Sequence, residues 1–518
     1  MFIASFEMGF NQTLLNIVIF LPLIASLLIL IMKKSYIKLY SLLVAIIELL
    51  IIIYLWYALE NSASFQFGTS LEIGYGLNYS IAVDAISLSL ILLSSILVLC
   101  SIIYLRNVPN QNYLFIALLS LETIVIGLFA STNALLFYTF WELSLIPTMC
   151  IIGNWGGERR FYASMKFVMY TVIMSLIMLF GILSLGYVHS LATGSLSFEL
   201  LDWYNLNLDP KIQNALFILF LIGIAVKIPL FPLHTWLPIT YTQAPTVGSV
   251  LLSGILSKMG TYALIRFLIP LFPDSIHHFS ILIASICVVM IIYSASIAFV
   301  QKDIKQVIAY SSLAHMGVIV LGIFSMNVEG ISGAVFFMFA HGIISAALFI
   351  LIGSLIERVG TSNINEFGGL SSNIPKITIV FSIILMAAIS LPLTIGFVGE
   401  FLSLLGFFKV NIPITIIAAF SIVVVAIYML NLFRRIFLGE PKINKSLIDI
   451  QRNEFISLLP LAILVIWLGI QPNTLLNKIQ SNTRDMLTFI DMKNSTNESF
   501  SILQFLDSSL ENEGINND

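Results

Sequence analysis

The sequence predicts an all-α polytopic membrane protein of about 14 transmembrane helices, with two inverted five-helix repeats and broken helices seven and twelve. Three observations predict this class. Hydrophobic residues make up 59% of the 518 residues and charged residues only 10%, against about 45–50% and about 25% in ordinary soluble chains. So few charges cannot cover the surface of a soluble protein of this length. The apolar residues also fall into runs long enough to cross a bilayer, which takes about 20 residues each. Finally, basic residues are distributed unequally between alternate loops, as the positive-inside rule requires of a polytopic chain.

In chain order the apolar runs begin near Leu14, Tyr36, Ile81, Tyr113, Thr132, Phe161, Ile212, Val247, Phe279, Ile304, Gly330, Ile377, Ile412 and Glu454. With the N-terminus outside, the inner loops and inner span ends hold sixteen basic residues: Lys33, Lys34, Lys38, Arg106, Arg159, Arg160, Lys166, Lys302, Lys305, Arg358, Lys376, Arg434, Arg435, Lys442, Lys445 and Arg452. The outer segments hold five: Lys211, Lys409, Lys478, Arg484 and Lys493. Lys227, Lys258 and Arg266 lie within spans. An even number of spans returns the C-terminus to the outside.

Pro229, Pro232 and Pro238 interrupt span seven, and Pro392 with Gly396 interrupts span twelve. These two spans are five apart and run in opposite directions, so a repeat of five spans has to be inverted. ELSL after Trp141 loosely echoes EFLSL from Glu400. The expected organisation is three N-terminal helices in residues 1–110, a first repeat (helices 4–8) in 111–270 and a second (helices 9–13) in 271–436. A loop and helix fourteen follow in 437–474. Residues 475–518 read as a polar tail, loosely ordered or a short surface helix.

Several function classes are excluded. A net charge of −3 offers no electrostatic footprint for nucleic acid. Cys100, Cys150 and Cys287 sit singly in apolar runs, which argues against a disulfide framework, a zinc site or an iron–sulfur cluster. The first residues carry Glu7 in place of a basic n-region, so no cleaved signal peptide is expected. No glycine-rich phosphate loop follows a strand pattern. His277 and His278 are expected in a solvated outer loop rather than at a metal. No cofactor or metal is expected in this chain.

Function is therefore read from ionisable residues inside the membrane. Glu142 in span five, Lys227 in span seven, Lys258 in span eight and Glu400 in span twelve each have apolar sequence on both sides. Each costs about 2.5–3.5 kcal/mol at mid-bilayer if nothing compensates it. Two acids and two bases form either structural salt bridges between helices or a proton relay. The relay reading is favoured because burial disfavours the charged form of acid and base alike, and hydrophobic replacement would serve a purely structural pair as well. His234, His315 and His341 supply groups that donate and accept at once. Glu122 in span four is a further polar member, either of the relay or of helix-to-helix hydrogen bonding. Arg266 is either a relay member or an interface anchor. Glu48 in span two has no basic residue near it in sequence.

The stretch AVKIPLFPLHTWLP from Ala225, then APTVGSVLLSGILSKMG from Ala244, SSLAHMG, AHGIISAALF and GFVGEFL, resembles the antiporter-like membrane subunits of respiratory complex I, NADH-quinone oxidoreductase. The resemblance covers roughly Ile81 to Arg435. Within that family Glu400 resembles the M-type branch, since the L- and N-type branches and the cation/proton antiporter counterparts typically carry lysine there. The resemblance implies a proton relay. Glu142 and Lys227 are its coupling pair, Lys258 the central carrier and Glu400 the exit-side carrier, with His234, His315 and His341 lining the axis between them. It implies that NADH, flavin, iron–sulfur clusters and quinone are handled by other subunits. The implied partners are the related antiporter-like subunits on either side and the lipid bilayer. The implied location is a bacterial inner membrane, with a mitochondrial inner membrane as the alternative. The alternative function is a subunit of a sodium/proton antiporter. Ile239, Tyr241, Gln243, Leu393 and Ile395 depart from residues common in the family.

Overall fold

A computed structural model describes residues 9–513 other than Ala63, Tyr75, Asn107, Asn444 and Lys445. Glu7 and Lys445, used above, lie outside the described residues. Among the described residues, 13 helices are long and apolar enough to cross a membrane. They are α1 (Phe10–Ile29), α2 (Lys34–Ala58), α3 (Ala85–Tyr104), α4 (Gln111–Ala130), α5 (Ala134–Trp155), α6 (Arg160–Thr193), α7 (Pro210–Lys227), α8 (Thr246–Leu271), α9 (Pro273–Val300), α10 (Ile304–Ile323) and α11 (Val328–Val359), then, past a divided crossing, α14 (Ile412–Phe437) and α15 (Arg452–Ile470). The divided crossing, span twelve, consists of two shorter apolar helices, α12 (Pro375–Ala388) and α13 (Ile395–Phe408). Pro392 has no N–H to donate and keeps its predecessor out of helical geometry. Ser390 and Leu393 take φ of 55° and 72° across the gap.

Span seven is interrupted as well. Helix α7 stops at Lys227, and regular helix resumes only at Leu237–Gln243. The carbonyls freed by this break are satisfied inside the protein, as hydrocarbon demands: Ala225 O accepts from Leu230 N at 2.8 Å and Val226 O from the Trp236 indole at 3.0 Å.

The burial pattern sorts the helices into layers. Helices α8 and α11 are enclosed on all sides, whereas α6, α14 and α15 leave broad apolar faces uncovered. At the arginine-rich ends, Arg358 holds Glu454 in a two-pronged pair at 2.6 and 2.7 Å, and Arg106 adds a third contact at 2.8 Å. This knot ties α11 and the segment after α3 to the start of α15.

Three expectations require correction. The third helix starts at Ala85 rather than near Ile81, because Ile81 lies in an antiparallel hairpin, β1 (Gln66–Gly74) and β2 (Leu77–Val83). Glu199 fastens the hairpin by accepting from Ser80 Oγ at 2.8 Å and Asn133 Nδ2 at 2.9 Å. His277 and His278 belong to the first turns of α9, not a loop, since Pro273 opens the helix where a missing N–H costs nothing. The tail is neither loose nor short: α16 (Asn473–Glu513) is one helix whose first half docks on the bundle. Leu475, Leu476, Ile479, Thr483 and Ile490 are buried, and Lys478 Nζ donates to Trp56 O and Leu59 O at 2.6 Å each.

Leu393 holds a left-handed backbone with its side chain 70% exposed, so it pays strain and packs little. Leu393→Gly is expected to stabilise the fold by about 1–2 kcal/mol, read as a higher Tm. An unchanged or lower Tm contradicts this reading of the break.

Candidate proton-transfer axis

Lys227 is the last residue of α7, and its ammonium is fully enclosed. Nζ donates to Ser144 Oγ at 3.1 Å. It also stands over the rings of Trp141 and Phe167, 5.2 and 5.8 Å from their centroids, a cation–π cradle that recovers part of the lost hydration. Ser144 is where α5 changes from one helical stretch to the next. Glu142, two residues earlier, is half-buried with Oε1 unpartnered. Among the described residues no ion pair joins Glu142 to Lys227; Ser144 Oγ accepts from the ammonium and donates to Trp141 O at 2.7 Å.

Lys258 forms the centre. Its Nζ donates to Ser253 O and lies 2.7 Å from His341 Nδ1. With the ammonium donating, Nδ1 accepts and the imidazole proton sits on Nε2. The His341 and His315 rings follow, centroids 5.7 Å apart. His315 reaches the backbone of Ala388, the last residue of α12. Two residues on, Ser390 Oγ donates to Glu400 Oε2. Close to Glu400, Tyr428 on α14 donates to Ser311 Oγ at 2.8 Å. Lys258, His341, His315 and Glu400 thus occupy one buried row running from α8 through α11 and α10 to the break between α12 and α13. Ile228, the neighbour of Lys227, packs on Gly260, two residues after Lys258, which brings the α7 break to the same row.

Local geometry makes this row possible. Lys258 lies between two π-helical segments of α8, Leu252–Leu256 and Leu264–Leu268, and such widened turns leave carbonyls such as Ser253 O free for a side chain. Close approach of α8 and α11 depends on two glycines. A Cβ on Gly254 would lie 3.5 Å from Gly342 O, one on Gly342 would lie 3.0 Å from Gly254 O, and the two would also meet Leu97 and Leu93 of α3 at 2.3 and 2.7 Å. Gly342 adjoins His341, so this contact sets the Lys258–His341 distance.

Not every expected member joins the row. His234 is buried at the α7 break, stacked on Phe231 and edge-on to Tyr293, with Nδ1 unpartnered. Glu122 lies against Glu48 in the α2–α4 layer. Arg266 is no interface anchor: it is buried and ion-paired with Asp84, the cap of α3, and donates to Tyr262 Oη at 3.1 Å. Sequence reading missed Ser144, Ser390, Ser311, Tyr428 and Asp84. Only Ser144 carried a signal, its place two residues after Glu142.

The comparisons with known proteins agree with one another. A family model described as "NADH:quinone oxidoreductase/Mrp antiporter, TM" matches residues 131–426. A Rickettsia prowazekii (strain Madrid E) protein named NADH-quinone oxidoreductase subunit M is 40% identical over 490 residues, covering 92% of this chain and 98% of the relative. The chain belongs to this NADH:quinone oxidoreductase/Mrp antiporter family. Among solved structures, a chain of respiratory complex I from Thermus thermophilus with bound NADH is 30% identical, with a TM-score of 0.85 over 92% of this chain and 99% of that one. A chain of the Mrp complex from Dietzia sp. DQ12-45-1b shares the fold at 18% identity, with a TM-score of 0.83 over 93% and 99%.

Two of the departures from common family residues do structural work here. Tyr241 donates to Leu252 O at 3.0 Å, where the first π segment starts. Gln243 accepts from Arg159 N through Oε1 at 2.9 Å and from Gly157 N through its carbonyl at 2.8 Å, closing the loop after α5.

Burial works against the charged form of Asp84, but the Arg266 guanidinium, with donation from Ser87 N and Asn482 Nδ2, outweighs it and holds the carboxyl below the usual carboxylate range. The folded value lies below the unfolded one, so this stabilisation is present above the usual carboxylate range, about 3.9. It is lost as pH falls through the lowered folded value. Arg266→Leu, which leaves Asp84 buried without its partner, is expected to cost about 3–5 kcal/mol at neutral pH. The gap in Tm between wild type and variant should narrow on acidification toward pH ~3. An equal gap at every pH contradicts the pairing.

Proposed function

We propose that this chain is a proton-translocating membrane subunit of a bacterial NADH-quinone oxidoreductase, seated in the cytoplasmic membrane among related antiporter-like subunits. In this reading, electron transfer from NADH to quinone proceeds in other subunits and drives charge movement here. The observation that carries the reading is the unbroken buried contact of Lys258 with His341, and of His341 with His315, leading toward Glu400. Kinship with proteins named NADH-quinone oxidoreductase subunit M, at 40% identity across nearly the whole chain, supports it.

The arrangement suits proton transfer in steps. Lys227 keeps its proton while Glu142 is ionised nearby and Ser144, Trp141 and Phe167 solvate the ammonium. Removal of the Glu142 charge, by protonation or by a movement at the face where it is half-exposed, withdraws that support. Lys227 then releases its proton toward Lys258. Lys258 gives a proton to His341 Nδ1, the imidazole releases one from Nε2, and His315 passes it toward the Ser390–Glu400 end. The cycle closes when Glu400 discharges, His341 regains its Nε2–H form by a ring flip, and Lys258 and Lys227 are reloaded in turn. The alternative is a sodium/proton antiporter subunit, which would run the same row on a sodium gradient without any redox partner.

Lys227→Ala and Glu142→Ala, in the assembled complex, are each expected to lower NADH-driven proton pumping at least about tenfold. NADH oxidation by an artificial electron acceptor should be retained. Normal proton yield in both variants would overturn the proposal. Sodium-driven proton flux in vesicles lacking redox subunits would favour the antiporter reading instead.

A further inference from the structure

The row leaves one pair of buried acids unused. Glu48 lies near the middle of α2 and Glu122 near the middle of α4, and both are buried. Helices α2 and α4 pack against each other, and the two carboxyl groups lie within hydrogen-bonding reach of one another. Among the described residues, no group donates a well-aligned hydrogen bond to any of the four oxygens. Ser41 Oγ, on the same buried face of α2 as Glu48, and Ser95 Oγ, on α3, are also buried without a partner. Helix α3 packs against both α2 and α4. Unpaired oxygens on three adjoining helices are what remains when the missing partner is a proton or a water molecule.

Among the described residues, no cation pairs with either acid, and Lys478, which reaches α2, is held at its far end by Trp56 O and Leu59 O. Helices α1 and α3 contain no Asp, Glu, Lys, Arg or His, and α4 contains only Glu122. The other charges of α2 are Lys34 and Lys38 in its first turns, and Lys38 Nζ donates to Ile103 O and Leu105 O. Beyond these, α4 packs against β2, which is uncharged, against α5 with its acid Glu142, and against α8. The basic residues of α8 are engaged, Lys258 with Ser253 and His341, and Arg266 with Asp84. The remaining titratable groups on α2, α3, α4 and α5 are phenols and cysteine thiols, neutral at pH 7. Two carboxylates in such a place would repel each other in a weakly screening interior with nothing to replace their lost hydration. One proton placed between them removes one charge and lets the acid donate to its neighbour.

We propose that Glu48 and Glu122 form a second proton-binding site, separate from the Lys227–Glu400 row, which holds a proton shared between the two carboxyl groups at neutral pH. Uptake forms one O–H bond on a carboxylate oxygen at the expense of one O–H bond of hydronium. No electrons move. The site does not depend on how the main row works, so its test reads occupancy rather than pumping.

The test is infrared spectroscopy of the intact membrane complex at pH 7, following protonated-carboxyl C=O stretching and its shift in D2O. Glutamine keeps the size of each side chain and is neutral, so Glu48→Gln, Glu122→Gln and the double variant are compared with wild type. Glu400→Gln marks the separate contribution of the main row. Each single variant is expected to shift one protonated-carboxyl band, and the double variant to abolish it, while Glu400→Gln leaves it in place. A double variant with the wild-type spectrum would overturn the proposal. So would a band that responds to exchange of sodium for choline, which would make the occupant a metal cation. If the double variant fails to assemble, the single variants decide: a shifted band in both supports the shared proton, and an unshifted band in both overturns it.

Discussion

A lysine ammonium at mid-membrane persists only if protein groups replace the water it has lost, and Lys258 is where this chain meets that demand most fully. Its nitrogen is held by the Ser253 carbonyl and by His341 Nδ1. Around it the enclosed helices α8 and α11 exclude lipid. The rest of the bundle serves this arrangement. The outer helices present apolar faces outward, the arginine knot on Glu454 fixes one end of α11, and the pairing of Arg266 with Asp84 fixes the far end of α8. The partners of Lys258 are neutral groups rather than a carboxylate. A neutral cradle supports the proton without trapping it, whereas a tight buried ion pair would hold it too firmly for transfer.

Irregular helix geometry recurs wherever a charge has to be accommodated. Lys227 ends a helix, Glu142 adjoins the change of course at Ser144, Lys258 lies between two π segments, and Glu400 faces the gap between α12 and α13. Regular helix consumes its own carbonyls and amides, so it has nothing to offer an enclosed ion. Each irregularity releases a carbonyl or turns a serine inward. The departures Tyr241 and Gln243 act on the same principle at one remove, bonding the backbone near the first π segment and the loop that follows α5.

Much of this was legible in the sequence, because the bilayer restricts what an apolar chain can be. The number of spans and the four charges among them follow from where charged residues fall among apolar runs. Pro229 and Pro392 announced the two breaks. What stayed hidden was of two kinds. The hairpin and α16 are built from mixed polar and apolar residues that look like loop and tail, and only docking against the bundle orders them; Leu475, Ile479 and Thr483 show the helical spacing once the buried face is known. The second kind is the serines. Ser144 and Ser390 matter because of which ion they touch, and serine is common in membrane helices for many reasons. His234 shows the converse: its place in a motif drew it into the expected row, while packing on Phe231 and Tyr293 sets it at the α7 break.

The central claim is that protons cross this subunit through Lys258 and His341. It is tested most directly by the number of protons moved per NADH oxidised by the intact complex in sealed vesicles when Lys258 is replaced by Met. Methionine fills the enclosed space but carries no proton. The account predicts an assembled complex that oxidises NADH with an artificial acceptor at the normal rate and moves fewer protons per NADH than wild type. A variant complex with the wild-type ratio would contradict it.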